Sequence, residues 1–231
     1  MSDFAGKTVL VTGAAGTLGR AVASAFRIRG ARLILADVAK QPLLDAHGSS
    51  NNESVLLAVD LLDSSALSRG LEELSAVDVL CNVAGGFAMG TPVHETDDRA
   101  WLAMLDINAS TVLSASRAVI PGMLQRGRGW VVNVGAGAAL HAPGFMGAYA
   151  ASKSAVLRLT ESMAAELRER GINVNCVLPS IIDTPQNRRD MPEADPARWV
   201  SPAALAEVIV FLASPAAGAV HGACIPVTGL V

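Results

Sequence analysis

The segment Thr8–Gly19, TVLVTGAAGTLG, decides the fold of this 231-residue chain. Its first residues, Thr8–Val11, form a short run of β-branched and apolar residues, which is typical of a buried strand. Glycines at 13, 16 and 19 permit a tight turn after this run. Leu18–Ile28 then carries apolar residues at helical spacing, and Gly30 follows as a helix terminator. The segment therefore predicts a strand, a glycine-rich turn and a helix.

The rest of the chain repeats this alternation of strand and helix. Continuous apolar runs are typical of strands buried on both faces of a parallel sheet, and they recur at Arg32–Ala36, Val55–Val59, Val77–Asn82, Trp130–Val134, Ile172–Leu178 and Ala223–Val227. Helical patterns occupy Ser64–Leu74, Asp97–Asp106, Ala109–Arg126, Ala148–Arg170 and Ala203–Ala213. No repeat or linker interrupts the alternation. We therefore expect residues 1–231 to form a single doubly wound α/β domain of the Rossmann type, with a seven-stranded parallel sheet and helices on both faces.

Composition and charge exclude several classes of function. Hydrophobic residues make up 51% of the chain and charged residues 17%, which is ample for one domain core. The net charge of −3, without a basic run, argues against a nucleic-acid partner. The four histidines lack ligand spacing, so no metal site is expected, and the uncharged stretch 129–152 contains too many glycines to span a membrane. Three cysteines without a C-x-x-C motif predict reduced thiols and a cytoplasmic protein.

The glycine-rich turn has the residue types of a dinucleotide-binding site. Its glycines allow close approach of a pyrophosphate, and the following helix offers free N–H groups to the phosphates. Arg20 stands where a nucleoside-triphosphate loop requires lysine followed by serine or threonine. Asp37 ends the second strand, where a carboxylate can accept hydrogen bonds from the adenosine ribose and repel a 2′-phosphate. The pattern favours NAD over NADP, although Lys40 keeps the second alternative open.

The only tyrosine, Tyr149, is followed four residues later by Lys153 within a predicted helix. Residues at positions i and i+4 lie on one helix face, so the phenol and the ammonium would be neighbours. A neighbouring positive charge favours phenolate and lowers the pKa of a tyrosine, which starts near ~10. The pair is therefore a candidate proton donor with its activating group, although the same spacing also arises by chance.

Taken together, these residues resemble the short-chain dehydrogenase/reductase family over essentially the whole chain. The motifs that carry the resemblance are the glycine-rich turn, Asp60 after the third strand, Asn82-Val83-Ala84-Gly85, Asn108, the Tyr149/Lys153 pair, and Pro179 followed by Thr184. The resemblance implies an NAD(P)-dependent oxidoreductase that acts on a small-molecule substrate. It also implies a homodimer or homotetramer assembled through the helices at Ala109–Arg126 and Ala148–Arg170.

The resemblance further implies roles for individual residues. Catalysis would depend on Tyr149, on Lys153 and on Asn108, the last through a water relay to Lys153. Cofactor contacts would come from Gly13, Ala15, Gly16, Thr17, Leu18, Gly19, Asp37, Asp60, Leu61, Asn82, Ala84, Gly85, Tyr149, Lys153, Pro179, Ile182 and Thr184. Within this set, Asp60 and Leu61 would flank the adenine, and Ile182 and Thr184 would hold the nicotinamide carboxamide.

The segment Gly135-Ala136-Gly137 departs from the family pattern, which places a catalytic serine near position 136. No serine or threonine occurs between Val131 and Ala151. A hydroxyl there would hydrogen-bond the carbonyl oxygen of the substrate, and such contacts contribute strongly to transition-state stabilisation. The sequence therefore lacks a contact that ordinary ketone reductases of this family use, and the narrower resemblance described next implies a conjugated carbonyl or quinonoid acceptor in place of a simple ketone.

Two stretches, Gly135–Leu140 and Asp183–Trp199, are in addition similar to the corresponding parts of quinonoid dihydropteridine reductases. Those enzymes prefer NADH, lack the serine and keep the Tyr/Lys pair. The sequence therefore favours hydride transfer of the dihydropteridine reductase kind. Two alternatives remain: a generic alcohol dehydrogenase or ketone reductase of the same family, and a catalytically idle NAD-binding regulator.

Overall fold

Seven strands and eight α-helices alternate along residues 3–63 and 65–231, the part of the chain that the computed structural model describes. The strands are β1 Thr8–Thr12, β2 Arg32–Asp37, β3 Ser54–Ala58, β4 Val79–Asn82, β5 Gly129–Val134, β6 Ile172–Pro179 and β7 Cys224–Val227. The helices are α1 Thr17–Ile28, α2 Lys40–His47, α3 Ala66–Leu71, α4 Asp98–Leu105, α5 Thr111–Arg126, α6 Gly147–Leu167, α7 Pro185–Asp190 and α8 Pro202–Leu212. Ser64, the predicted first residue of the third helix, lies outside the described residues.

The strands form one parallel sheet in the order β3-β2-β1-β4-β5-β6-β7. The prediction of a seven-stranded doubly wound fold is confirmed. The chain winds outward from β1 in one direction and from β4 in the other, so the crossover helices of these neighbouring strands diverge. In such sheets a crevice opens beyond the carboxyl ends of the two central strands.

Apolar residues cover both faces of the sheet, as the continuous apolar runs predict. Along β1, Val9 and Val11 pack into one core with α1, α2 and α8, whereas Leu10 packs into a second core with α3, α5 and α6. All three side chains have no solvent exposure. Burying one such side chain contributes about 1.5–3 kcal/mol, which explains why these strands read as unbroken apolar runs.

Three helical features depart from the sequence-based expectation, and one of them is α7, for which the sequence predicted no helical pattern. The helix α2 has no counterpart there, because Leu43 is its only buried residue and produces no apolar periodicity. The helices predicted at Asp97–Asp106 and Ala109–Arg126 are joined by a π-helical turn, Asp106–Ser110. No helix of residues 3–63 and 65–231 is long and apolar enough to cross a membrane.

Candidate active site

A cavity of about 660 Å³ lies beyond the carboxyl ends of β1 and β4, where the strand order reverses. Most of the predicted cofactor-binding residues line it: Gly13, Gly16, Thr17, Leu18, Gly19, Asp37, Asp60, Leu61, Ala84, Gly85 and Thr184. Residues that were not predicted as cofactor contacts also line the cavity, namely Val38, Val59, Leu62, Val83, Ile107, Thr111 and Gln186. The predicted residues come from the glycine turn and the ends of the strands. The additional residues reach the cavity through tertiary packing.

The glycine-rich turn closes tightly against the loop that follows β4. Gly13 has φ +63°, and a Cβ atom on it would lie 2.8 Å from the Cα atom of Ala84, so a side chain is excluded both by backbone conformation and by space. Thr12 ties the same two segments together, because its Oγ1 accepts hydrogen bonds from the N–H groups of Val83, at 3.0 Å, and Ala84, at 3.1 Å. The floor of the cavity is therefore built from backbone.

The residues present fit a dinucleotide. No side chain caps the N-terminus of α1, which begins in the cavity wall, so its first N–H groups are available to phosphate oxygens. Asp37 is held in place by the N–H groups of Ala15, 2.9 Å from its Oδ2, and Val38, 2.8 Å from its Oδ1. A carboxylate accepts about four hydrogen bonds, so acceptor capacity remains for ribose hydroxyls.

Tyr149 and Lys153 lie one turn apart near the start of α6, as the sequence predicted. Burial raises the pKa of Tyr149 to about 12 and lowers the pKa of Lys153 to about 8. The expectation that Lys153 lowers the pKa of Tyr149 is therefore wrong for this structure, because removal from water outweighs the effect of the ammonium. The phenol keeps its proton at neutral pH, which suits a proton donor.

The Lys153 side chain runs through the protein interior. It is 5% exposed, and its Nζ donates a 2.9 Å hydrogen bond to the carbonyl oxygen of Val134. A Cβ atom on Gly85 would lie 3.1 Å from this Nζ and 2.8 Å from Oδ1 of Asn108, so both groups flank the same glycine. Lys153 and Asn108 thus meet at Gly85, which lines the cavity, and Tyr149 lies one helical turn before Lys153.

Asn108 lies in the π-helical turn, a distortion that is frequent at functional sites. It is fully buried; its Oδ1 accepts from the N–H of Gly86 at 3.0 Å, and its Nδ2 donates to the Gly86 carbonyl and to Ser152 Oγ, both at 3.1 Å. Ser152 Oγ in turn donates to the carbonyl oxygen of Tyr149 at 2.7 Å. Sequence reasoning missed Ser152, whose only signal was its place next to Lys153.

The place of the family's serine is occupied by the methyl group of Ala136, which is 5% exposed. A Cβ atom on the next residue, Gly137, would meet nothing closer than the Pro179 carbonyl oxygen, at 3.7 Å. The segment Gly135-Ala136-Gly137 therefore offers no hydroxyl group. The Phe87 ring lies edge-on to the Tyr149 ring, with centroids 4.9 Å apart.

Six predicted cofactor contacts are not among the residues that line the cavity: Ala15, Asn82, Tyr149, Lys153, Pro179 and Ile182. Asn82 is 2% exposed, and its Nδ2 donates to Asn133 Oδ1 at 2.9 Å. Pro179 ends β6 in register with Val227 of β7, and Ile182 forms a bridge with Val200. Their contacts with a cofactor stay predictions.

Two residues from the similarity to dihydropteridine reductases have structural partners within the chain. Trp199 is 6% exposed and therefore packs in the interior. Arg188 forms a two-pronged ion pair with Asp183, with N–O distances of 2.6 and 2.8 Å. The pair neutralises the Arg188 charge before any substrate arrives.

Comparison with known proteins agrees with this geometry. A family model described as short chain dehydrogenase matches residues 7–195. The chain is 35% identical to galactitol 2-dehydrogenase (L-tagatose-forming) of Cereibacter sphaeroides, over 97% of this chain and 94% of that enzyme.

Solved structures show the same likeness. A 3-oxoacyl-[acyl-carrier protein] reductase from Brucella melitensis with bound NAD superposes with a TM-score of 0.89 at 30% identity, covering 100% of this chain and 92% of the other. An NADP-containing structure from Beutenbergia cavernae superposes with a TM-score of 0.88 at 30% identity, covering 99% and 97%. Its relatives thus bind NAD or NADP in this fold, and the chain belongs to the short-chain dehydrogenase/reductase family of oxidoreductases.

Proposed function

We propose that the protein is an NADH-preferring reductase that transfers hydride to a small conjugated carbonyl or quinonoid acceptor, as dihydropteridine reductases do. The buried methyl group of Ala136 carries this proposal, because it replaces the hydroxyl that would bind a ketone oxygen while Tyr149 is kept. A conjugated acceptor spreads the developing negative charge over its ring system. It therefore needs one proton donor rather than a pair of donors focused on one oxygen.

The side chains of the site have separable tasks in this reaction. When bound, the nicotinamide supplies the hydride. Tyr149 donates its proton to the heteroatom of the acceptor, and its pKa of about 12 keeps that proton in place at neutral pH. The Lys153 ammonium, one helical turn away, stabilises the phenolate that remains until water reprotonates it. Asn108 and Ser152 hold the start of α6 against the loop after β4.

The preference for NADH rests on Asp37. Its carboxylate lies in the cavity wall, where it would accept hydrogen bonds from the adenosine ribose and repel a 2′-phosphate. The residues that line the cavity include no arginine or lysine to neutralise such a phosphate. Titration of the nucleotide fluorescence with NADH and NADPH tests this part; equal dissociation constants would contradict it.

An acceptor panel tests the reaction itself. NADH consumption is followed with quinonoid dihydropterin and 1,4-naphthoquinone as conjugated acceptors, and with acetone and cyclohexanone as simple ketones. We expect turnover of the conjugated compounds and little of the ketones. Preferential turnover of the ketones would overturn the proposed substrate class.

Restoring the missing hydroxyl sharpens the same test. In Ala136→Ser the added hydroxyl can donate to a carbonyl oxygen, and a donor of this kind contributes up to about a hundredfold in rate. We expect kcat/KM for cyclohexanone to rise while that for 1,4-naphthoquinone changes little. An unchanged ketone rate would show that the hydroxyl does not set the acceptor class.

A generic alcohol dehydrogenase is the second candidate, favoured by the likeness to galactitol 2-dehydrogenase. Oxidation of galactitol or of simple secondary alcohols with NAD would distinguish it. A catalytically idle NAD-binding regulator is the third alternative. Any NADH turnover that disappears with Tyr149→Phe would exclude it.

Assembly and location complete the proposal. Leu113 is an exposed apolar residue of α5, one of the two helices expected at the interface, and Trp101 and Leu102 of α4 are exposed as well, which supports a homodimer or homotetramer. Sedimentation equilibrium at micromolar protein tests the assembly, and a stable monomer would refute it. All three cysteines are free thiols, which supports a cytoplasmic location.

A further inference from the structure

Phe87 is an exposed aromatic residue placed directly against the tyrosine of the site. Its ring is 4.9 Å from the Tyr149 ring in an edge-on arrangement, at an interplanar angle of 83°, and the residue is 56% exposed. An edge-on aromatic pair stabilises the orientation of both rings. Phe87 therefore fixes the tyrosine ring from one side and offers a large part of its own surface to solvent.

Phe145 is exposed as well, and its backbone is strained. It has φ 63° and is the only non-glycine residue with positive φ in the described part of the chain. A bulky side chain in this left-handed region costs roughly 1–2 kcal/mol. The ring is 58% exposed, so burial of the ring offsets little of that cost. Strain that packing does not explain is a mark of a functional segment.

The two phenylalanines lie on loops that meet. The N–H of Gly90, three residues after Phe87, donates a 2.9 Å hydrogen bond to the carbonyl oxygen of Phe145. Val93 from the first loop fills the space beside Gly147 at the start of α6, because a Cβ atom on that glycine would lie 2.6 Å from Val93 Cγ2. The loop after β4 and the loop after β5 therefore form one connected wall next to Tyr149.

The wall carries further exposed apolar side chains beside the exposed polar residues Thr91, His94 and His141. Met89 is 59% exposed and Leu140 is 50% exposed, and they lie on the same two loops as the phenylalanines. Hydroxyl or ionic groups of a substrate held against these apolar side chains would lose water without gaining partners. A flat apolar ring would instead gain contact area and aromatic stacking.

We propose that Phe87 and Phe145 form an aromatic rim that selects flat, uncharged, conjugated ring substrates and holds them over the Tyr149 hydroxyl. This inference rests on the proposed function, since it assigns a substrate class to the same site. It adds two specificity-determining residues that the family motifs do not contain.

Binding of an unreactive ring tests the rim separately from catalysis. Calorimetric titration of the enzyme–NADH complex with 1-naphthol and with decahydro-1-naphthol compares a flat and a puckered ring system with the same carbon skeleton and one hydroxyl group each. We expect 1-naphthol to bind on the order of tenfold more tightly, because aromatic contacts of about 1 kcal/mol each act on both sides. Equal affinity for the two compounds would overturn the rim.

Three variants assign the preference to the rim. Phe87→Leu and Phe145→Asn should each weaken 1-naphthol binding by roughly three- to tenfold and change the binding of decahydro-1-naphthol much less. Phe211→Leu serves as the matched control, because Phe211 is an exposed phenylalanine, at 44%, on the distant α8. If both rim variants keep the full preference for 1-naphthol, the proposal that Phe87 and Phe145 form the rim would also be contradicted.

The choice of asparagine at position 145 separates loss of contact from loss of structure. Asparagine tolerates the left-handed backbone, so Phe145→Asn should unfold at the same temperature as the unmodified protein or at a higher one. Weaker 1-naphthol binding in an equally stable variant supports direct contact. A lowered unfolding temperature together with unchanged binding would contradict both the strain and the contact.

Turnover distinguishes failure of the rim from failure of the proposed function. If 1-naphthol binds through the rim but NADH reduces no acceptor, the rim stands and the proposed reaction fails. If 1,4-naphthoquinone is reduced equally well by the unmodified protein and both rim variants, and 1-naphthol shows no preference, the reaction stands and the rim fails.

Discussion

The cofactor half of the site and its substrate half are built from different material. Around the glycine turn, backbone atoms form the surface: the Cα atom of Ala84 leaves no room for a side chain on Gly13, and the uncapped N-terminus of α1 lines the cavity. Around Tyr149, exposed side chains such as Phe87 and Phe145 form the surface. A site built from backbone requires particular residue types, such as glycine, at fixed positions, so it can be recognised in the sequence. A site built from exposed side chains does not restrict residue type in this way, so its substrate specificity can change by substitution.

Tyr149→Phe should show the largest difference between the two halves of the site, because it should lower turnover strongly and affect NADH binding little. Loss of a positioned proton donor lowers kcat by roughly 10²–10⁴-fold. The dissociation constant of NADH should change by less than about twofold, because the glycine turn and Asp37 are untouched. Stopped-flow NADH oxidation and fluorescence titration measure the two quantities. Retained turnover would remove Tyr149 from its role.

Lys153 is predicted both to contact the cofactor and to take part in catalysis. Its replacement should reveal that its buried charge lowers the free energy of unfolding. Burial lowers its pKa from 10.5 to about 8, so the folded state bears the full penalty of the buried charge below about pH 8. Between pH 8 and 10.5 the folded state loses its proton first, and the penalty is relieved as the pH rises. Lys153→Met should abolish turnover and raise the free energy of unfolding at pH 7 by roughly 2–3 kcal/mol.

Urea unfolding at pH 7 and pH 10 measures this difference. We expect the gain in Lys153→Met to shrink at the higher pH, since the lysine is then neutral in the fold. Lys153→Met also removes the hydrogen bond to Val134, and this loss reduces the gain in the free energy of unfolding by about 1 kcal/mol. A gain that is independent of pH would contradict the assignment to the buried charge.

Asp37→Ser should alter only the cofactor half. Loss of charged hydrogen bonds to the ribose weakens NADH binding by about tenfold, while removal of the repulsion improves NADPH binding. The ratio of the two dissociation constants is the decisive measurement. The preference of an NADH-saturated enzyme for conjugated acceptors should remain, and a changed acceptor preference would show that the halves are coupled.

Arg188→Ala should have the smallest effect on the substrate half. The guanidinium is 57% exposed and already paired with Asp183, so its loss should change kcat/KM for an uncharged acceptor by less than about twofold. The same measurement with a carboxylated quinone is the informative comparison. A large loss specific to the anionic acceptor would show that Arg188 binds substrate and would weaken the case for an uncharged one.

Much of the fold could be predicted from local sequence patterns. The strand at Thr8–Thr12 and the turn after it were readable because a buried parallel strand demands apolar residues and a phosphate-binding turn demands glycine. The helix from Gly147 to Leu167 was readable, and with it the spacing of Tyr149 and Lys153. By contrast, α2 buries Leu43 alone and leaves no periodic trace.

The pKa of Tyr149 shifts in the direction opposite to the one that the local sequence predicts. The spacing of Tyr149 and Lys153 in the sequence suggests a lowered tyrosine pKa, but burial raises it to about 12. Desolvation depends on every element packed around the ring, and no short motif contains that information. The Ser152 hydrogen bond to Asn108 is of the same kind, because it joins residues 44 positions apart.

The sequence by itself determined the parallel sheet, the backbone cradle for a dinucleotide, the Tyr149/Lys153 pair and the missing hydroxyl at Ala136, since each follows from residue type within a few neighbouring positions. Only the tertiary structure decided the rest. It buried Lys153, brought the π-helical turn onto Gly86, and joined the loops of Phe87 and Phe145 beside the tyrosine. Protonation states and substrate contacts arise from groups that are distant along the chain and adjacent in space, so only the folded chain specifies them.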